Sequence, residues 1–335
     1  MIKAFTISIL IALVLCFQTA NAEWVKLKTS SLSWLHDVTF VTGSKGWTVG
    51  SDGTILSTMD GGITWKPLPK FTTDTLLQIH FTDEHTGWLL CERNIFSRGQ
   101  NATSYLRKTI DGGQTWERIE FENGGRERIT KLLFNNLGWG TAFGEGGIFY
   151  KLQEDGKTWK KSISAIHFLL LGGSYSDGLT GAIAGAGGTI LYTGDNGLSW
   201  EKSTLIGNTD TRFNSVFFAS PKLGWAVGAN GAISACSGGG RLWRNQNSIT
   251  TTNLNDVYFT TTRDGWAVGD DGVIAHTTNG GVTWKEVNSR IKHRLEKIVF
   301  VGKRGFAVGF GGTILTYLDG TTGLPDTKPT LQRGN

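Results

Sequence analysis

One unit of roughly 40 to 50 residues recurs along the chain and sets what it can fold into. Two clear copies read GWTVGSDGTILSTMDGGITW at 46–65 and GWAVGDDGVIAHTTNGGVTW at 265–284. Each has two apolar runs separated by a turn with Asp and Gly, and a second Gly-rich turn that precedes a closing Trp. The seven copies are placed by Gly46-Trp47, Gly87-Trp88, Gly138-Trp139, Gly181-Ala182, Gly224-Trp225, Gly265-Trp266 and Gly305-Phe306.

A further apolar run lies upstream of each copy, so each repeat offers about four short strands. Short strands at regular spacing, a repeat of this length and 47 glycines favour an all-β fold with many tight turns. We therefore predict a seven-bladed β-propeller. The upstream strands are predicted at Val38–Val41, Leu77–Phe81, Leu132–Phe134, Phe168–Leu171, Val216–Phe218, Val257–Phe259 and Ile298–Val301.

The seventh copy lacks its closing Trp strand. Its chain runs through Thr313–Tyr317 and a turn at Asp319-Gly320, after which no such strand follows. The segment Glu23–Leu27, EWVKL, matches the closing strand TWKPL at 64–68. We expect the N-terminal strand of the mature chain to complete the last blade and close the ring.

The two ends of the chain differ in composition from the repeats. Lys3, the mostly apolar run Ile7–Phe17 and the small residues Ala20-Asn21-Ala22 form the pattern of a secretory signal peptide. We expect export to the periplasm and, since no later segment is long and apolar enough to span a bilayer, at most a peripheral membrane association. The predicted divisions are a signal peptide at 1–22, the propeller at 23–320 and a disordered tail at 321–335.

The turn before each closing Trp has the pattern Ser/Thr-x-Asp-x-Gly-x-Thr/Ser-Trp. An Asp or Asn there can accept bonds from the amides of its own turn, and Gly tolerates a positive φ. We predict structural roles for these residues. Repeats three and five depart from the pattern, with Glu154 and Gly238 expected in the acidic position. The structural positions are Asp60 and Trp65, Asp111 and Trp116, Asp195 and Trp200, and Asn279 and Trp284.

This turn resembles the Asp-box, or BNR repeat, of sialidases and other propellers. The GWAVG-x-x-G-x-I strand pair and the seven nearly equal repeats are more similar to the photosystem II stability/assembly factor family. The resemblance covers nearly the whole mature chain. It implies an exported binding protein, in the periplasm or in a thylakoid lumen, that assists assembly of a membrane protein complex.

Three arginines occupy one position of the repeat. Arg128, Arg212 and Arg294 each stand six residues before a strand phenylalanine, at the start of an inner strand. Inner and outer turns alternate faces along a four-stranded blade, so this position lies opposite the Asp-box turns. We predict a one-sided basic collar that binds an acidic segment of a partner, because clustered charge attracts the opposite charge. Arg126, Lys131, Arg290, Lys292, His293 and Lys297 are expected to add to it.

The resemblance gives this collar a precedent, since the family carries an arginine patch that is thought to contact its membrane-protein client. The formal net charge of +5 permits an acidic partner without requiring one. Nucleic acid is not expected as a partner of an exported protein. We expect a monomer.

No catalytic residue, metal site or cofactor is predicted. The Asp-box aspartates have a sufficient local role in their turns, and the motifs of a sialidase site are missing from the sequence. Loop acids such as Glu84, Glu127 and Asp210 show no spacing that singles out a catalytic pair. A sialidase-like glycoside hydrolase and an export-associated propeller unrelated to photosynthesis remain the alternatives to a non-enzymatic assembly factor.

Overall fold

The computed structural model describes residues 23–318, apart from 97–98, 100, 163–165, 177–178 and 208–209. The predicted signal peptide at 1–22 and tail at 321–335 lie outside the described residues. The described strands form seven sheets, and the innermost strand of each sheet contacts that of the next around a closed ring. The structure confirms the predicted all-β, seven-bladed β-propeller.

Most blades are antiparallel four-stranded sheets that follow the chain from the inside outwards. Blades 1 to 3 contain β2 (Leu35–Phe40), β3 (Gly46–Gly50), β4 (Ile55–Thr58) and β5 (Lys66–Pro67); β6 (Thr75–Phe81), β7 (Gly87–Glu92), β8 (Ser104–Thr109) and β9 (Glu117–Ile119); and β10 (Ile129–Phe134), β11 (Gly140–Gly144), β12 (Phe149–Leu152) and β13 (Trp159–Ser162).

The remaining blades follow the same plan. Blades 4 and 5 contain β14 (Leu170–Tyr175), β15 (Gly181–Gly185), β16 (Ile190–Thr193) and β17 (Glu201–Lys202); and β18 (Thr204–Ile206), β19 (Phe213–Phe218), β20 (Gly224–Gly228), β21 (Ile233–Cys236) and β22 (Leu242–Asn245). Blades 6 and 7 contain β23 (Leu254–Phe259), β24 (Gly265–Gly269), β25 (Ile274–Thr277) and β26 (Lys285–Glu286); and β27 (Leu295–Val301), β28 (Arg304–Gly309), β29 (Thr313–Leu318) and β1 (Glu23–Lys26).

The strand directions give the ring two distinct faces. On the upper face the inner strands begin and the second strand of each blade turns into the third. On the lower face lie the Asp-box turns and the turns after the inner strands. Between blades, an aromatic side chain of the second strand packs on the phenylalanine that ends the next inner strand. Trp47 stacks on Phe81 with ring centroids 4.1 Å apart, and Trp225 on Phe259 at 3.6 Å.

The N-terminal strand completes blade 7. β1 pairs antiparallel with β29, with Glu23 opposite Leu318 and Lys26 opposite Leu315. Trp24 is fully buried and lies edge-on to Trp266 of blade 6 at 5.7 Å. The first and last described strands of the chain are therefore held in one sheet, and the ring has no open blade.

In blade 3 the predicted start of the second strand is wrong by two residues. β11 begins at Gly140 rather than Gly138. The amides of Leu137 and Trp139 both donate to Asn135 Oδ1 at 3.0 Å, which places Trp139 in the turn, where its side chain is 49% exposed. Gly140 starts the strand because the rings of Phe134 and Trp159 pack directly over its α-carbon and leave no room for a Cβ atom.

Two further predictions differ from the structure. The inner strand of blade 4 is Leu170–Tyr175, shifted from the predicted Phe168–Leu171, and Phe168 is 48% exposed on the upper face. Blade 5 has a fifth strand, because β18 pairs in parallel with β22 at its outer edge. β18 comes from the segment that leaves blade 4, so it joins the two blades.

Candidate partner-binding surface

The residue before each inner strand takes the same place in six of the blades. Its carbonyl oxygen accepts a hydrogen bond from the amide that follows the last glycine of the blade's second strand. For Arg128, Arg212 and Arg294 these bonds measure 2.9, 2.8 and 2.9 Å. Backbone geometry therefore brings the three arginines to equivalent positions on the upper face. Trp34, Leu169 and Asn253 hold this place in the other three blades.

Glycine is required where the strand meets this carbonyl. A Cβ atom on Gly228 would collide with the carbonyl oxygen of Arg212, and one on Gly309 with that of Arg294. The last glycine of the GWAVG motif thus lets the loop that carries the arginine pass directly over the strand. This contact links the repeat motif to the position of the candidate binding side chains.

The arginines lie on alternate blades, 3, 5 and 7, and form an arc around the rim. The position in blade 4, between the first two, is Leu169, which was not predicted because the inner strand of that blade was expected to begin at Phe168. Asn253 separates the second and third arginines. The predicted collar is therefore an interrupted set of cations rather than a continuous patch.

Arg294 is the most strongly engaged of the three. Its guanidinium lies 2.6 Å from Glu296 and 3.1 Å from Asp270, and 5.7 Å from the centre of the Trp34 ring. Burial lowers the pKa of Arg294, but the two carboxylates outweigh it, so the pKa is raised. Arg294 is a cation whose charge is largely compensated within the upper face.

Arg128 has looser partners, and Arg212 has no ion pair to the described residues. The guanidinium of Arg128 is 3.5 Å from Glu145 and 3.7 Å from Glu92. Arg212 is exposed, and its Nε donates to Asn214 Oδ1 at 3.0 Å. Arg212 is therefore the most available of the three for an incoming anion.

The other predicted basic residues are divided between the rim and the interior. Arg126 and Lys292 are exposed on the upper face. Arg290 is also exposed there but pairs with Glu23 at 2.6 Å, next to the closing strand of blade 7. Lys131 and Lys297 lie deeper, in the wall of the central channel rather than in the collar.

An aromatic cluster lies beside the arginines and was not found from the sequence. Trp34 packs edge-on against Phe310 at 5.7 Å, and His293 lies 6.2 Å from the same ring. Phe310 is 50% exposed and the neighbouring Leu32 is 89% exposed. These residues give the upper face an apolar area at the junction of blades 7 and 1, directly next to Arg294.

The inner strands enclose a central cavity of about 560 Å³. His36 and His80 are in its wall, and burial lowers the pKa of each to about 4. For His36 the charge of Arg294 lowers the pKa further. Both imidazoles are neutral at physiological pH and add no charge to the channel.

The Asp-box turns lie on the lower face, away from the cavity. In the first turn Asp60 Oδ1 accepts from Thr58 Oγ1 at 2.8 Å and from the amide of Thr64 at 3.0 Å, and Asp60 Oδ2 accepts from Thr64 Oγ1 at 2.6 Å. Asp111 and Asp195 make the same bonds. In blade 6 the side-chain amide nitrogen of Asn279, Nδ2, instead donates to Thr283 Oγ1 at 2.9 Å.

These bonds change the acidity of the carboxyls. The hydroxyl of Thr115 is the largest influence that holds the pKa of Asp111 well below its usual range. The tryptophans of the motif pack between blades: Trp65 and Trp284 are buried, and Trp116 and Trp200 are half-buried. The aspartates are thus fully occupied in their own turns, with geometry suited to holding the turn.

The prediction that Glu154 takes the acidic position in blade 3 is wrong. Asp155 accepts from the amides of Lys157 at 2.9 Å and Thr158 at 2.8 Å, and from the hydroxyl of Thr158. The turn from Leu152 to Trp159 is as long as the turn from Thr58 to Trp65, but its acid stands four rather than five residues before the tryptophan.

The part of the chain that the structure describes has neither a metal-ligand cluster nor a membrane-spanning helix. No three His, Cys, Asp or Glu side chains among these residues are grouped so that they could hold a metal ion. None of the helical segments in the described ranges is long and apolar enough to cross a membrane.

Comparison with known proteins adds the family. A family model described as "Photosynthesis system II assembly factor YCF48" matches residues 17–71, 139–236 and 239–324. "Photosystem II assembly protein Ycf48" of Synechococcus sp. (strain JA-2-3B'a(2-13)) is 26% identical over 320 residues, which cover 70% of this chain and 96% of the relative.

Solved structures share the fold at lower identity. A structure described as "YCF48 bound to D1 peptide" has a TM-score of 0.70 at 21% identity and covers 90% of this chain and 98% of that one. Virginiamycin B lyase from Staphylococcus aureus has a TM-score of 0.71 at 13% identity, over 89% of this chain and 99% of that one. Because proteins of different function share the architecture, these likenesses show the fold alone.

Proposed function

The chain belongs to the family of the photosynthesis system II assembly factor YCF48, whose model matches more than half of it, and we propose that it is an exported, non-enzymatic binding protein. On this proposal it assists assembly of a membrane protein complex of the photosystem II type. It binds an acidic segment of a client subunit on the upper face and is at most peripheral to the membrane. Relatives that are themselves named as photosystem II assembly proteins support this role.

The observation that carries the proposal is the common position of Arg128, Arg212 and Arg294. Backbone bonds hold all three at the rim of one face, so the cations are presented without a change in the fold. A guanidinium can bind a carboxylate through two parallel hydrogen bonds, which makes arginine well suited to this recognition. Arg126, Arg290 and Lys292 extend the same face and are proposed as further contacts.

The ion pairs within the protein determine how available each arginine is to a client carboxylate. A client carboxylate that binds Arg294 must compete with Glu296 and Asp270, whereas Arg212 has no such partner among the described residues. We therefore propose Arg212 as the main anchor, with Arg128 and Arg294 as secondary contacts. The exposed rings next to Arg294 are positioned to pack against apolar side chains that flank the acidic segment.

Affinity purification of the mature protein from solubilised membranes of its own organism tests this function. The variants are Arg128→Ala, Arg212→Ala and Arg294→Ala combined, and a control that also removes three positive charges. The control replaces Lys66, Lys202 and Lys285, which are exposed on outer strands, with Ala. Melting temperatures close to that of the wild type establish that both variants are folded.

We expect the wild type and the lysine control to recover photosystem II subunits or precursors, and the arginine variant to recover at least about 10-fold less, as for the loss of strong charge-assisted contacts. Equal recovery by the arginine variant would remove the upper-face arginines from the proposal. Recovery of a different membrane complex would contradict the photosynthetic role. Recovery of no membrane protein would contradict the assembly function itself.

A further inference from the structure

One position recurs in all seven inner strands, directly after a β-bulge, which re-aims the side chains at that point. It is the third residue of the strand in six blades and the fourth residue of β6 in blade 2. Equivalent positions in one ring make the seven side chains directly comparable. From blade 1 to blade 7 they are Asp37, Gln78, Lys131, Gly172, Ser215, Asp256 and Lys297.

In most blades this side chain is used to join neighbouring blades. Asp37 accepts from the amide of Ile79 at 3.0 Å, and Gln78 makes two bonds to the backbone of Leu132 at 2.7 and 3.0 Å. Asp256 accepts from the amide of Ile298 at 3.0 Å. The position therefore has a general structural role in linking one inner strand to the next.

Two further side chains at this position, Ser215 and Lys297, both contact Asp256. Asp256 also accepts from Ser215 Oγ at 2.7 Å and forms an ion pair with Lys297 Nζ at 3.0 Å. The carboxylate is thereby bonded through both oxygens, and the Lys297 ammonium has a direct counter-ion. Both charges of this group therefore have a direct partner of opposite charge.

Lys131 departs from this pattern. Its ammonium forms no hydrogen bond or ion pair with the residues that the structure describes. The next blade offers Gly172 and Gly173, which have no side-chain acceptors. Burial is the largest influence on the pKa of Lys131 and lowers it. Charged groups nevertheless lie close enough to act on this pKa: the carboxylates of Asp37, Asp256 and Glu296 raise it, and the ammonium of Lys297 lowers it. A lysine in the wall of a cavity that serves no inter-blade bond is a candidate anchor for a ligand.

The surroundings of Lys131 restrict the ligand. Leu77 and Leu171, from the blades on either side, line the same cavity, and Phe217 and Tyr258 add rings with centroids 4.8 Å apart. Glu296 and Asp256 also line it and would repel a dianion such as phosphate more than a monoanion. The volume of about 560 Å³ falls in the usual range for small-molecule sites.

We propose that the central channel binds a small monocarboxylate with a compact apolar body, and that the carboxylate accepts a hydrogen bond from the Lys131 ammonium. The apolar body packs against the leucines and rings of the inner strands. Arg294 of the rim also lines this cavity, whereas Arg128 and Arg212 do not, and the proposal does not depend on the nature of the client.

Benzoate and its neutral analogue benzamide, titrated into the mature ¹⁵N-labelled protein and followed by amide chemical shifts, test the proposal. We expect benzoate to give saturable shifts in the inner strands of blades 3 and 4, with a dissociation constant of about 1 mM or tighter. Benzamide, which has the same shape without the charge, should bind at least about 10-fold more weakly.

Substitutions of Lys131 test whether its ammonium binds the carboxylate of benzoate. Lys131→Met should weaken benzoate binding at least about 10-fold, while Lys131→Arg should retain it. Lys161→Met, at an exposed lysine of the same blade, should bind as the wild type does. If Lys131→Met is not folded, Lys131→Gln supplies the comparison.

Three results would overturn the proposal. These are shifts in the wild type that do not saturate, equal binding of benzamide, and unchanged benzoate binding by a folded Lys131→Met or Lys131→Gln variant. A loss of benzoate binding in a variant that lacks only Arg128 and Arg212, which do not line the cavity, would also overturn it, because the anion would then bind at the rim.

Discussion

Replacing Trp24 with Ala is expected to weaken the closure of the ring. Trp24 is fully buried. Its ring contacts Trp266 of blade 6 at 5.7 Å and lies 5.4 Å from Tyr317 of the neighbouring strand. The remaining side chains of β1 are partly or fully exposed. Most of the apolar contact that holds this strand in blade 7 therefore comes from one side chain.

The magnitude follows from the buried area. A fully buried Trp removes roughly 200 Å² from water, and at roughly 25 cal/mol per Å² this burial contributes about 5 kcal/mol. Substitutions of buried Trp by Ala cost about 3–5 kcal/mol, since part of the area is retained and the cavity relaxes only partly. With about 2–4 °C per kcal/mol in a chain of this size, the melting temperature should fall by roughly 10 °C.

Thermal unfolding of the mature protein, followed by circular dichroism, measures the effect. Trp139→Ala is the matched control, because it removes the same side chain from a site where it is 49% exposed. The control should change the free energy of unfolding by about 1 kcal/mol or less. Equal shifts for the two variants would refute the reasoning, since they would show that the N-terminal strand contributes little to the stability of the ring.

Three other properties can be predicted from the structure. Asp155→Ala should lower the melting temperature by a few degrees and Glu154→Ala should leave it unchanged, because only Asp155 holds the blade 3 turn; the reverse order would contradict this assignment. Burial raises the pKa of Cys91 to about 12, so iodoacetamide at pH 8 should alkylate it only after unfolding; mass spectrometry that finds it alkylated in the native protein would contradict this. The Asp-box carboxyls have pKa values below the unfolded value of 3.8, so their stabilisation is complete above about pH 4 and is lost as the pH falls through the folded values. A variant with all three acids changed to Asn should show a flatter dependence of melting temperature on pH between about 4 and 2, and an unchanged slope would count against the assignment. The acids are Asp60, Asp111 and Asp195.

The architecture was predictable because its signal is repeated. Gly and an aromatic residue start the second strand in most blades. A phenylalanine ends the inner strand in most blades, and the aromatic side chain of the preceding blade packs on it. Local motifs and their spacing therefore determine the seven-bladed ring without knowledge of tertiary contacts.

Prediction failed where a repeat departs from its template. In blade 3 both Gly138 and Gly140 could start the strand, and the choice is made by packing against Phe134 and Trp159. These contacts are tertiary and have no local sequence signal. In the Asp-box turn of the same blade the acid is Asp155, one residue later than in the other turns although the turn has the same length. Alignment of the motif from either end therefore selects Glu154.

The sequence predicts the position of the rim arginines but only part of their ion pairing. The common position of the arginines depends on strand spacing, which can be counted. Their partners follow another countable rule: the residue after the last glycine of the second strand lies against the residue before the inner strand. This rule brings Glu145 to Arg128 and places Phe310 beside Arg294. The ion pair between Arg294 and Asp270 spans two blades and depends on how they pack.

The side chains on the two faces of the ring differ in what they contribute to the fold. On the lower face the Asp-box side chains satisfy the amides of their own turns, so a change in these residues exposes unpaired backbone groups. On the upper face the loops are held by backbone hydrogen bonds, such as those that the carbonyl oxygens of Arg128 and Arg212 accept. The side chains at these positions can therefore differ between blades without loss of the fold. The equivalent position is occupied by Trp34, Leu169, Arg212 and Asn253 in four of the blades. Because different side chains are accepted there, one rim can carry both an arc of arginines and an exposed aromatic cluster.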